Sequence, residues 1–535
     1  MKASTRILTF LLLAVLLVPL FASCGGEGDV TTPAGTTAPS GDGGTTAPTV
    51  DKWEDADFSD VTLRVAYNEF VNSEIVAAGA TNSLPYLVGP DDEALLSRGD
   101  YAAAYERHNR TCDKLGLTLG ENLVYTDIGW DGPNTATILA SIQAFNTANS
   151  DDAPQMIIHQ NYGMVRAAIL GDLYNCKDES QKNYFDFTDE HWYTDMMLEN
   201  TLDEDKIYML MGDYFIDQFR MAYGVLVNAG IAEEVLSVNG GMEYIYDLVR
   251  DGQWTYDTFM EVAEYAYTGE QSGELVLGAI GKASWVSRCM FSTSGLDVFT
   301  KNEGGEIVYI EGEAITPVHD WLDRLIAMEK EDFFSYDWTR DARNTAGEAV
   351  ATTFVNGGAF FALNQMVLAM EGSLVQDMRT ATGILPFPIY EEDPRGEKAT
   401  YGALVSDNAS CGGILISADP EMFTAASAFI QMMTEDSSEF FNQYFENGLK
   451  LKNNSIGTGH IEMLDYIHNG ICSPMSMLYD NYCAAALDSE AYFSIMNNSI
   501  SAGSNTFSSG FASDLGAKIK KWQEIKESFG NRTLQ

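Results

Sequence analysis

Flat rings beside amide and carboxylate groups are the most informative chemistry in this chain. Trp130, Tyr162, Trp285 and Trp338 fall in predicted loops or at element ends, near Asn, Asp and Gln. Such rings stack on the apolar faces of small polyhydroxylated molecules while amides and carboxylates take the hydroxyls, and small-molecule clefts in general need the same pairing. Each single Trp also fits a packing role.

Groups for breaking bonds are harder to find. The sequence contains no H-E-x-x-H, G-x-S-x-G, S-x-x-K or G-x-x-x-x-G-K-[ST], so metalloprotease, α/β-hydrolase, penicillin-binding and P-loop chemistry lose their best support. The six histidines (108, 159, 191, 319, 460, 468) include no pair at metal-ligand spacing, and His460 and His468, eight apart, fit a shared surface. No metal and no cofactor is expected. The 78 acidic residues leave a glycosidase-type pair of carboxylates open, but their abundance makes no particular pair informative.

These side chains must be held by alternating strands and helices. "VTLRVAYN" (61–68), "NLVYTDI" (122–128), "QMIIHQ" (155–160), "KIYMLMG" (206–212) and "YGVLVN" (223–228) read as strands. A helix from about Asn134 puts Ile138, Ile142 and Phe145 on one face. Thr255, Thr316 and Asp419 read as caps of later helices, with Pro317 and Pro420 at first helical positions. "GGEIVYI" (304–310) reads as one arm of a hairpin. Strands separated by helices predict an α/β fold with mostly parallel sheets.

The start of the chain has a separate logic. Lys2 and Arg6 precede the apolar run 7–21, which is shorter than the ~20 residues a bilayer-spanning helix needs and ends in Ala22-Ser23. Residues 1–23 therefore read as a secretory signal. "FASC" resembles the lipobox of bacterial lipoproteins, with Phe21 where Leu is commonest, which implies lipidation of Cys24 (a palmitate-type diacyl anchor). Residues 24–50 are almost all Gly, Thr, Pro, Ala, Ser and Asp and read as a solvated tether.

About 485 residues remain from Asp51, enough for two lobes. Without Lys2 and Arg6, 29 basic residues face 78 acidic ones, a formal charge of −49, which argues against nucleic acid as a partner. Cys112, Cys176, Cys289, Cys411, Cys472 and Cys483 are widely spaced; disulfides and free buried thiols both fit.

Five stretches in order carry a family resemblance: "KIYMLMGDY … YGVLVNAGI", "GQWTYDTFMEVAEYA", "FVNGGAFFALNQM", "GILPFPIYEED" and "GGILISADPEMFTAASAFIQMM". Over most of residues 58–530 the chain resembles the family 1 extracellular solute-binding proteins of ATP-binding-cassette importers, the group that includes maltose and oligosaccharide binders. Phe360 stands where that family usually has a small residue. The resemblance implies a two-lobed fold of the type II periplasmic-binding-protein kind, with ligand in the cleft and a hinge that closes it. Lobe 1 would comprise 58–218 plus 405–455 and lobe 2 would comprise 219–404 plus 456–535, with crossings near 216–222 and 405–412. It further implies a non-catalytic monomer on the extracytoplasmic face of the cell membrane, capturing a small solute, most simply a carbohydrate, for an importer's transmembrane permease subunits. A surface-anchored glycan hydrolase and an adhesin are the competing readings.

Ligands of open α/β sheets sit beyond the carboxyl ends of strands. That rule selects Asn68, Glu69 and Phe70 after the first strand and His159, Gln160, Asn161 and Tyr162 after "QMII". By resemblance, the loop after "QMII" would supply His159, Asn161 and Tyr162 as ligand contacts, Asn364 and Gln365 would lie in a second loop, Trp285 or Arg288 in a third, and Asp407 and Asn408 at the hinge. His159 equally fits a satisfied strand-end imidazole. No Trp follows "QMII", where a maltose-type contact is usual, and Trp254 reads as a packing residue.

Overall fold

The computed structural model describes residues 52–530 apart from 69–82, 91, 130–134, 149–151, 202, 204, 269–274, 282, 302–306, 311, 336–352, 372–374, 376–377, 392–400, 451–458, 475–477, 480–490 and 513–514. The signal, Cys24, the tether, Glu69, Phe70, Trp130, Trp338 and Cys483 lie outside the described residues. The strands are β1 (Leu63–Tyr67), β2 (Leu123–Asp127), β3 (Met156–Gln160), β4 (Tyr223–Asn228), β5 (Leu277–Gly281), β6 (Phe299–Lys301), β7 (Ile307–Tyr309), β8 (Phe334–Ser335), β9 (Ala359–Gln365), β10 (Thr382–Leu385), β11 (Ala403–Leu404), β12 (Ser410–Ile414) and β13 (Ile471–Cys472).

The first sheet has the order β12-β3-β1-β2. β1 runs parallel to β2 and β3, so each connection must cross over, and the helices Gly99–Leu115 and Thr135–Thr147 do so. Every residue of β3 is buried, as expected of a strand covered on both faces. β12 arrives from much later in the chain and pairs antiparallel with β3, setting Cys411 opposite His159 and Ser410 opposite Gln160.

The second sheet has the order β10-β4-β9-β5-β8 and mixes directions: β4 is antiparallel to β9 and β10, whereas β5 is parallel to β8 and β9. β4 is buried throughout, which its unbroken "YGVLVN" run requires. Thr255 and Thr258 form a capping box on the helix Tyr256–Tyr265, whose Phe259, Val262 and Ala263 are buried. Trp254 is fully enclosed and its indole N–H donates to the Pro386 carbonyl at 3.0 Å, a packing role. β6 and β7 form the hairpin read from "GGEIVYI".

Two local readings need correction. Residues 206–212 form no strand; they are tied by isolated bridges, Leu210 to Gly412 and Trp192 to Gly212, and Ile207 through Met211 are buried in the core. Thr316 is the first residue of the helix Thr316–Glu329 and caps nothing, because a tight 3-10 turn, Gly312–Ile315, already leads into it. Asp419, by contrast, accepts from the backbone N–H groups of Glu421 and Met422, both at 2.9 Å. Cys112, Cys176, Cys289 and Cys411 are buried free thiols, and Cys472 is a half-buried one. Among the described residues no helix is long and apolar enough to cross a membrane.

The chain passes between the sheets along two neighbouring segments. The short helix Asp217–Arg220 leads into β4, and the return toward β12 runs beside it, with Val405 bridged to Ala222 and Ser406 N–H donating to the Met221 carbonyl at 3.1 Å. A buried ion knot holds the first passage. Arg220 donates to both oxygens of Glu371 at 2.7 and 2.9 Å and to Asp217 at 2.8 Å, while Ser83 and Tyr444 hydroxyls donate to the two carboxylates at 2.7 Å each. Asp213, just upstream, accepts from Tyr193 at 2.7 Å and pairs with His468 at 2.8 Å; the imidazole lies stacked on Phe441.

Candidate functional site

β3 leads straight into the helix Asn161–Leu170. The loop expected after "QMII" is absent: His159 and Gln160 end the strand, and Asn161 and Tyr162 open the helix. The first N–H groups of a helix have no internal acceptor. Here the return segment supplies them, since Asn161 N–H donates to the Ala409 carbonyl at 2.8 Å and Tyr162 N–H to the Asp407 carbonyl at 3.1 Å. The helix can lie this close because residue 163 is Gly; a Cβ there would stand 3.2 Å from both the His159 ring and Ile138.

Gln218, fully buried on the first passage, joins the same point. Its amide N–H groups donate to Asn161 Oδ1 at 3.1 Å and to the Ser410 carbonyl at 2.7 Å. Asn68 follows β1, and its backbone N–H donates to the Ile158 carbonyl at 3.0 Å, which sets it beside His159 at the carboxyl ends of two parallel strands. Thus strand end, helix start and both passages meet at one place.

The other wall belongs to the second sheet and the helix Ala283–Ser292. Tyr223, the first residue of β4, stacks on Trp285 with ring centroids 5.2 Å apart, and its hydroxyl accepts from the Gln365 amide at 3.2 Å. Arg288 lies over the Trp285 ring at 5.0 Å and reaches toward Asp407, Nη1 to Oδ2 3.9 Å. On the first-sheet side, Arg166 donates to the Tyr162 hydroxyl at 2.5 Å.

The structure therefore gathers Asn68, His159, Asn161, Tyr162, Asp407 and Asn408 around the junction, and brings Trp285 to it through Arg288 and Gln365 to Trp285 through Tyr223. Asn364 and Gln365 are the last two residues of β9 and form no loop, because Tyr223 and Gly224 pair with them in register. Asn364 also accepts at its side-chain oxygen from the N–H of Gln365. Gln218, Tyr223 and Ser410 were not singled out from the sequence; the expected crossing at 216–222 contained Gln218, but nothing local marked its side chain.

Polar atoms here are left over. Asn68 Oδ1 and Nδ2, Gln160 Nε2, Asn161 Nδ2, Gln218 Oε1, Ser410 Oγ and Arg288 Nε are buried with no hydrogen-bond partner among the described residues. A buried polar atom left unpaired costs about 1–3 kcal/mol, so such a cluster is unusual unless something else satisfies it. The Cys411 thiol is fully buried, and burial pushes its pKa well up, so it stays protonated. A groove of about 620 Å³ lies elsewhere, between the helices Tyr256–Tyr265 and Thr316–Glu329, and holds none of these residues.

No protein-family model matches the chain, and no curated protein matches it. Among solved structures it is similar to a family 1 extracellular solute-binding protein from Bifidobacterium longum subsp. infantis, at 12% identity and a TM-score of 0.47, covering 86% of this chain and 99% of that one. It is also similar to the GacH receptor of Streptomyces glaucescens GLA.O, described unliganded and in complex with acarbose and an acarbose homolog, at 12% identity and a TM-score of 0.48, covering 87% and 99%. The α/β architecture stands on the strands and registers described above.

Proposed function

We propose that this chain is a non-catalytic receptor that holds a small extracellular solute, a carbohydrate, between the first and second sheets. The observation that carries the reading is the meeting of amides, rings and one ion pair from both sheets where the chain crosses between them, with several buried polar atoms unpaired. Hydroxyl groups can both donate and accept, so a sugar satisfies leftover amide donors and acceptors together. Asn68, His159, Asn161, Tyr162, Trp285, Gln365, Asp407 and Asn408 are the proposed contacts, with Asn364 at the margin.

In this reading 58–218 plus 405–455 and 219–404 plus 456–535 act as lobes, and ligand trapping draws them together about the paired passages. Cys24 carries the lipid, the tether lets the body stand off the extracytoplasmic face of the membrane, and the solute passes to an importer's permease subunits. The signal layout, the "FASC" stretch and the tether composition support the anchor.

A thermal-shift screen of the full chain against mono- and oligosaccharides, with peptides and amino acids as controls, tests the receptor. A ligand at 100 times its Kd raises stability by about 2.7 kcal/mol. The expected result is a saccharide-dependent shift with the saccharide recovered intact. Recovery of cleaved glycan overturns the reading in favour of a hydrolase, and a shift with peptides alone overturns the carbohydrate assignment. Mass spectrometry of the mature N-terminus tests the anchor: an unlipidated start other than Cys24 removes it.

A further inference from the structure

Arg288 is a half-buried cation that makes no hydrogen bond among the described residues. Other guanidiniums donate: the fully buried Arg220 to Glu371 and Asp217 and the fully buried Arg107 to the Ser437 hydroxyl and the Tyr86 carbonyl, and the more exposed Arg250 to Glu243, Asp247 and Glu462. The Arg288 side chain is 19% exposed, its Nε is buried and unpaired, and Asp407 Oδ2 at 3.9 Å is beyond hydrogen-bond reach. Its position is nonetheless fixed, because its guanidinium carbon lies 5.0 Å from the Trp285 ring centroid and 5.5 Å from that of Phe493. An oriented planar fork with unused donors is the arrangement that binds a two-oxygen anion side by side.

We infer that the solute is a saccharide bearing an oxyanion, a carboxylate or a sulfate ester, seated on Arg288. The inference rests on the carbohydrate-receptor reading above. Two further observations support it. The unpaired atoms near the junction are richer in donors (Asn68 Nδ2, Gln160 Nε2, Asn161 Nδ2, Arg288 Nε) than in obligate acceptors (Asn68 Oδ1, Gln218 Oε1), which favours an acceptor-rich ligand. Asp407 stands close enough to neutralise Arg288 without occupying its N–H groups, so an arriving anion exchanges with a loose pair and need not break a tight one. The chain's large negative charge repels an anion at distance, but that field is screened within about 8–10 Å at physiological salt, leaving discrimination to the fork.

Titration calorimetry of the full chain with trigalacturonate, a sulfated disaccharide, maltotriose and a tripeptide tests this. The expected result is binding of an acidic saccharide and weak or no binding of maltotriose; which acidic probe binds distinguishes carboxylate from sulfate. Arg288→Gln weakens the acidic probe by roughly 10- to 100-fold. Arg288→Lys recovers only part of it. Asp407→Asn tightens the acidic probe, a gain that a damaged fold cannot produce. Maltotriose binding as tightly as trigalacturonate, or an Arg288→Gln chain that binds both acidic probes unchanged, overturns the inference and leaves the receptor standing. Binding of the tripeptide alone, or of no probe, overturns both.

Discussion

Arg220 and Arg288 each sit between the two sheets and each face a carboxylate, yet one is saturated and the other is idle. Arg220 is fully buried and spends its donors on Glu371, Asp217 and a neighbouring hydroxyl, and both carboxylates receive further hydroxyl hydrogen bonds. Arg288 is half-buried, touches two ring faces and makes no hydrogen bond among the described residues. An ion taken out of water is stable only when paired and hydrogen-bonded. The first site therefore reads as the fixed part of the crossing, and the second as the part left open for a partner.

The largest effect should come from breaking the saturated site. Arg220→Met leaves Asp217 and Glu371 buried without their counter-charge and should lower stability by about 3–5 kcal/mol in urea melts. Loss of less than about 1 kcal/mol would show that the knot is not what holds the first passage. Next is Gln218→Leu, beside the knot but within the candidate site. It removes the donor to Asn161 and to the Ser410 carbonyl and should cost about 1–2 kcal/mol in the same melts. A change below about 0.5 kcal/mol would mean that water replaces the amide.

Between the two lies a pH-dependent pair. Burial of His468 opposes its charge, but the Asp213 carboxylate outweighs burial and raises its pKa. A raised folded pKa gives stability that is fully present below about pH 6.5, the unfolded value, and is lost as pH rises through the folded one. His468→Gln should flatten that decline, seen by comparing melts of the two chains from pH 5.5 to 8.5; parallel curves would refute the pairing. The smallest effect belongs to the idle site: Arg288→Gln should change unliganded stability by no more than about 0.5 kcal/mol in either direction. A loss comparable to that of Arg220→Met would make Arg288 a structural ion like the other.

Parts of this picture were legible in the residues and parts were not. β1, β3 and β4 announce themselves because each is a short, mostly apolar stretch bounded by polar or turn residues, and Asp419 and Thr255 announce helix starts because a cap is local chemistry. Residues 206–212 misled for the same reason: Ile207 through Met211 are apolar because they are buried, and burial does not require a strand. The rule that ligands sit beyond strand ends found Asn68, His159, Asn161 and Tyr162, which the structure does place together. Gln218, Tyr223 and Ser410 escaped because their neighbours come from distant parts of the chain, and Asn364 and Gln365 looked like a loop only because their pairing partners, Gly224 and Tyr223, lie about 140 residues away.

The antiparallel seating of β12 against β3 also sets a clock. Ser410 meets Gln160 across roughly 250 residues of intervening chain. At ordinary synthesis rates of about 5–20 residues per second, that interval is roughly 12–50 s during which β3 has no β12 to cover its flank. An apolar strand with an unpaired edge invites pairing with other chains. The first sheet thus cannot be finished by the half of the chain that makes most of it, and pairing across so wide a separation is intrinsically slow. A chain wired in this way gains time before its first sheet locks shut.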